Sequence, residues 1–172
     1  RPLRMTHPLV RSAVSEDIPA SERARAHRRA FEILSAEGAT DDATTVHALN
    51  AEATGDPALV EQLRRTAQRA LLTGSPQTAA VHLGRAISEP PSESERALVV
   101  AELGRAEVRA GRFGEGLDHL NQSLDALTDP GMRMDAHRDR AFAAFASGGM
   151  DRARDLVHGA LADMDDRESE GA

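Results

Sequence analysis

Seven histidines, with no cysteine and no lysine, set the terms for any chemistry this chain of 172 residues performs. His82 and His119 stand 37 residues apart, at one position of a repeat described below. Structural and catalytic metal sites take three or four ligands at fixed spacing, with partners that orient the imidazoles. Neither H-x-x-x-H nor H-E-x-x-H occurs, so no metal is expected. Asp165-Asp166 and Glu168 with Glu170 are carboxylates paired only along the chain, in a solvated tail. No G-x-S-x-G elbow offers a serine nucleophile. A phosphate-cradling G-x-x-x-x-G-K-[ST] loop needs a lysine, and none is present. The expectation is therefore no catalytic residue, no enzyme, and no cofactor held by this segment itself.

The elements that would position any site form a repeat. Leu63, Ala67, Gly74, Ala79, Leu83, Ala86 and Ile87 match Val100, Gly104, Gly111, Gly116, Leu120, Ser123 and Leu124. A further step of 37 gives His137, Ala141, Gly148, Ala153, Val157, Ala160 and Leu161. Small residues recur at small positions and a glycine recurs at one turn, the pattern of helix pairs that bury apolar faces against their neighbours. Gly38 lies 36 residues before Gly74, so a degenerate unit precedes the three.

Start and stop signals divide the rest. A helix is expected over 7–16 and broken at Pro19. A second follows, capped near Ser21 and stopped at Gly38, and a third is capped by Asp41 or Asp42 and reaches about Ala53. Asp56-Pro57, Ser75-Pro76 and Asp129-Pro130 each place a cap before a proline in the first turn. Ser92 and Glu95 have capping-box spacing. The helices then run over 57–73, 76–88, 93–110, 113–127, 130–147 and 150–164, with the acidic tail 166–172 fraying. The fold class is all-α, antiparallel helix pairs stacked on one another.

Composition agrees. Alanine-rich cores with four phenylalanines as the only aromatic residues suit closely packed helices. A net charge of −7, with arginine as the sole fixed cation, argues against direct nucleic-acid binding. No apolar run approaches a membrane span, and the absence of cysteine fits a cytoplasmic location.

Within each unit the spacing resembles the tetratricopeptide repeat (TPR). Leu63, Ala67, Ala79, Leu83, Ala86 and Pro91 occupy that family's positions 4, 8, 20, 24, 27 and 32 in the first unit. The likeness covers about 57–165, with a period of 37 instead of 34 and the usual aromatic positions emptied. It implies a TPR-like right-handed superhelix with a concave face lined by the first helix of each unit. Carried over, that face holds Arg64 and Gln68, then Arg105 and Arg109, then Arg138, Phe142 and Phe145. Arginine beside phenylalanine implies a protein or small-molecule effector bearing carboxylate or phosphate.

The segment THPLVRSAVSEDIPASERARAHRRAFEILSAEG is similar to the end of the winged-helix subdomain in signal-transducing ATPases with numerous domains. The closest likeness is to large ATP-binding LuxR-type transcriptional regulators, common in actinobacteria. On that resemblance residues 1–18 end the winged helix, 19–56 form a linking helical pair, and 57–165 are three TPR-like repeats. The chain, starting at Arg1 in mid-pattern, is then the middle of such a regulator, whose ATP or ADP is bound elsewhere. His7 stands where that family's histidine touches the β-phosphate of ADP, although Thr6-His7-Pro8 replaces the usual Met-His-Asp. The implied function is a sensor and interaction arm that gates DNA binding by the parent protein, with self-association open to it. The alternative is a free-standing TPR adaptor that scaffolds a protein complex.

Overall fold

A computed structural model describes residues 17–89 and 91–170, so the helix and the His7 site expected over 7–16 lie outside the described residues. The described residues form eight α-helices and no strand. The chain divides into two compact units, 1–54 and 55–172.

In the first unit α1 (Ala20–Ala36) packs on α2 (Asp41–Asn50), burying Phe31 from one helix and Thr44 and Ala48 from the other. Helix α1 begins one residue before the expected Ser21 cap, directly after Pro19, whose φ of −52° is already near the helical value. Thr40, and neither Asp41 nor Asp42, caps α2, its hydroxyl accepting from the Ala43 N–H. Both aspartates instead occupy the first turn, where their charge faces the positive end of the helix dipole. Helix α2 stops at Asn50, short of the expected Ala53, and the Glu52 N–H donates to the Ala24 carbonyl at 3.1 Å.

The second unit contains α3 (Pro57–Leu72), α4 (Pro76–Ser88), α5 (Glu93–Arg109), α6 (Phe113–Leu124), α7 (Pro130–Ala146) and α8 (Met150–Glu170). Each packs on the next, and α5 also touches α7. Asp56 and Asp129 cap as expected, accepting from the Ala58 and Met132 N–H groups at 2.9 and 2.8 Å. Ser92 does not complete a capping box. Its hydroxyl donates to the Glu95 carboxylate at 2.5 Å, a short charge-assisted bond, and its oxygen accepts from no N–H of the first turn. Helix α8 passes the expected end at 164 and reaches Glu170, since the acidic run contains no Gly or Pro before Gly171.

The turn recurs in backbone detail. After α1, α3, α5 and α7 comes a glycine with φ of 73°, 75°, 80° and 84° at Gly38, Gly74, Gly111 and Gly148. In each case that glycine N–H and the next residue's N–H return to the last helical turn: Gly111 donates to Val108 and Arg112 to Glu107. This is the Schellman motif, which satisfies carbonyls the helix leaves open. Any side chain in that conformation costs about 1–2 kcal/mol, which explains why the turn residue is glycine throughout.

Small residues set the helix spacing within a pair. Helices α5 and α6 meet at Gly104 and Gly116, where a methyl group on Gly116 would lie 2.8 Å from the Gly104 carbonyl oxygen. Ala67 and Ala79, at the same positions of α3 and α4, are both buried. Around the crossing lie Leu117, Leu120, Val108 and Ala136, each fully buried leucine contributing about 1.5–3 kcal/mol. Buried charged residues also tie the stack together. Glu89 is fully buried, accepting from Arg85 at 2.8 Å and from the Asp56 N–H at 3.0 Å, and so ties the end of α4 to the start of α3. Arg133 on α7 donates to the Leu124 and Leu127 carbonyls and pairs with Asp163 of α8 at 2.6 Å.

Candidate functional site

The first helices of the three pairs carry a ladder of opposite charges. Arg64 on α3 forks onto Glu102 of α5, with nitrogen–oxygen distances of 2.9 and 2.8 Å, and also reaches Glu61 at 3.1 Å. Arg105 on α5 bridges to α7, at 2.7 Å from Asp135 and 2.8 Å from Asp139. Arg138 closes the series on Asp135 at 2.9 Å. The hydrogen bonds that it donates to Glu102 raise Arg64 above the usual guanidinium value. Burial alone would lower Arg105, but its bonds to Asp139 and Asp135 outweigh that and raise it. Arg105 in turn holds the Asp135 carboxyl below its ordinary range.

Three of the groove residues expected from the sequence therefore come together. Arg64, Gln68 and Arg105 line a cleft of about 230 Å³ with Glu61, Leu71 and Glu102. Arg109 is exposed and does not line it. Arg138 borders a separate apolar cleft of about 260 Å³ between α7 and α8, with Met134, His137, Ala141, Val157 and Leu161. Phe142 and Phe145 are half-exposed and line neither cleft; Phe142 meets Phe113 edge-on, with ring centroids 6.2 Å apart. The groove is not the cationic surface that its arginines suggest, because a carboxylate answers each bridging arginine. Glu102 and Asp139 were the residues missed. Their signal is an acidic residue about one repeat after an arginine, at i+38 from Arg64 and i+34 from Arg105.

The histidines divide by environment. His119 lies 2.6 Å from the buried Glu107 carboxylate, and His137 lies 3.2 Å from Asp163. His82, at the position equivalent to His119, is buried, and no described residue hydrogen-bonds its Nδ1, so burial pushes its pKa down. His27 and His47 face each other across the first helix pair, Nδ1 to Nδ1 at 3.1 Å. Burial lowers His27, with His47 and Arg23 adding to the effect.

The most telling contrast lies at the end of the second unit. Leu83 and Leu120, on the second helices of the first two pairs, are each 1% exposed, and each of those helices packs on the one that follows. Val157 occupies the same repeat position on α8 and is 47% exposed, with Leu161 one turn on at 56%. No family model matches this chain, and no curated protein or solved structure matches it either.

Proposed function

We propose that this chain is a helical-repeat interaction segment of a larger signalling protein, of the LuxR-type ATPase regulator class its sequence resembles. The observation that carries this is the open apolar face of Val157 and Leu161. A free-standing adaptor closes its array with a capping repeat whose outer face is polar. This end carries the apolar residues of an interior unit, which favours an array in which the first helix of a further unit covers α8. In such a protein the repeats act as a stack with fixed geometry, since ion pairs staple α3 to α5 and α5 to α7. Ligand or partner binding along the stack then biases the parent between a closed and an open state by its differential affinity for the two.

The charge ladder narrows the ligand. An acidic effector entering the cleft competes with Glu102, Asp135 and Asp139 for the same guanidinium groups. A partner that brings both charges, or an apolar helix on the α8 face, meets no such competition.

The test is sedimentation and dye binding with wild type and the Val157→Glu/Leu161→Glu variant. The wild-type chain should bind an apolar-surface dye and self-associate. The variant should do neither while keeping its helical signal. In the parent protein the same variant should uncouple reporter transcription from inducer. A wild-type chain that stays monomeric and dye-free, with a parent response untouched by the variant, refutes the reading.

A further inference from the structure

We propose that His27 and His47 form a two-histidine chelate for a borderline divalent cation such as Zn²⁺, clipping α1 to α2. The two Nδ1 atoms are 3.1 Å apart and the ring centroids 5.1 Å apart, with the rings tilted by 47°. Zinc–imidazole bonds of about 2.0–2.1 Å at a tetrahedral angle put two nitrogens about 3.3–3.4 Å apart and their centroids about 5.2 Å apart. A straight N–H···N hydrogen bond at the observed nitrogen separation would instead spread the centroids to about 5.4 Å. Both observed separations lie within a few tenths of an ångström of chelating geometry.

The setting fits a weak site with an open side. Both side chains are half-buried, so the helix pair holds them while water retains access to the coordination positions they leave free. No group of three or more described His, Cys, Asp or Glu could hold a metal, so the described residues supply only these two ligands. Arg23, close enough to depress His27, opposes a cation, although its guanidinium is held by the Ile18 carbonyl at 2.6 Å. Imidazole ligands select Zn²⁺, Cu²⁺ or Ni²⁺ over Mg²⁺ and Ca²⁺, which take oxygen. Two ligands in place of four imply a dissociation constant on the order of 1–100 µM.

The experiment is a calorimetric titration of the tag-free, chelator-treated chain with ZnCl₂, alongside His27→Gln, His47→Gln and the exposed His158→Gln. One equivalent should bind wild type and His158→Gln alike, and each of the other two variants should weaken it at least about tenfold. Ring ¹⁵N spectra of the wild type supply a readout that needs no variant: the Nδ1 signals of His27 and His47 should shift together on adding Zn²⁺. Unsaturable binding up to about 1 mM Zn²⁺, well above the range for two imidazoles, overturns the proposal. So does saturable binding that leaves those two signals in place.

Discussion

Gly116→Ala tests the packing of the repeat with one methyl group. The new Cβ would lie 2.7 Å from Val108 Cγ2, 2.8 Å from the Gly104 carbonyl oxygen and 3.0 Å from the Val108 nitrogen. The first neighbour is a side chain, but the other two are backbone atoms of α5, so the helices must separate by about half an ångström in a close-packed interior. Overpacking of this kind costs about 1–3 kcal/mol. Alanine for glycine within a helix returns about 1 kcal/mol through propensity. The net change is a destabilisation of about 0–2 kcal/mol. Gly84→Ala supplies the reference: it sits within α4 with nothing within 4 Å of its added methyl, so only the gain remains. Thermal unfolding followed by circular dichroism should separate the two variants by about 2–4 °C for each kcal/mol. Gly84→Ala should melt above wild type and Gly116→Ala at or below it. Equal rises in both would refute the close approach of α5 and α6.

Two further outcomes follow from charge. Between the lowered folded pKa of His82 and its usual value of 6.5 the unfolded chain takes up a proton that the fold does not. Stability is therefore unaffected above that window and falls as pH drops through it; His82→Leu, matching Leu156 in the next-but-one unit, should reduce the urea-midpoint difference between about pH 7.5 and pH 5.5, and an unchanged difference counts against the buried neutral imidazole. In the ladder, Arg64→Ala and Glu102→Ala should each cost about 1–2 kcal/mol, and a double-mutant cycle should return a coupling of about 0.5–1.5 kcal/mol; a coupling near zero would show that the pair does not staple α3 to α5.

Much of the architecture was legible because it depends on local chemistry. Asp56-Pro57 and Asp129-Pro130 mark helix starts through groups that meet within three residues, and both cap as their spacing implies. Where two local partners compete, the reading fails. Ser92 turns to the Glu95 carboxylate, and Thr40 displaces Asp41 and Asp42 as the cap of α2. The groove was half legible. The repeat register brought Arg64, Gln68 and Arg105 to one cleft, but the balance of charge there depends on which residues of the next unit face them.

The sequence by itself determined the helical class, the repeat register, and the four glycine turns, whose left-handed backbone strongly disfavours any other residue type. Those properties are set within a few residues, or by a pattern that repeats along the chain. Tertiary structure alone decided that Arg64 answers to Glu102 and Arg105 to Asp139, that His82 is buried with no described residue bonded to its Nδ1 while His119 meets Glu107, and that His27 and His47 converge. The reason is range. An ion pair or a shared histidine contact depends on the rotation and spacing of helices remote in sequence, and those are fixed only when small residues such as Gly104 and Gly116 bring the helices together.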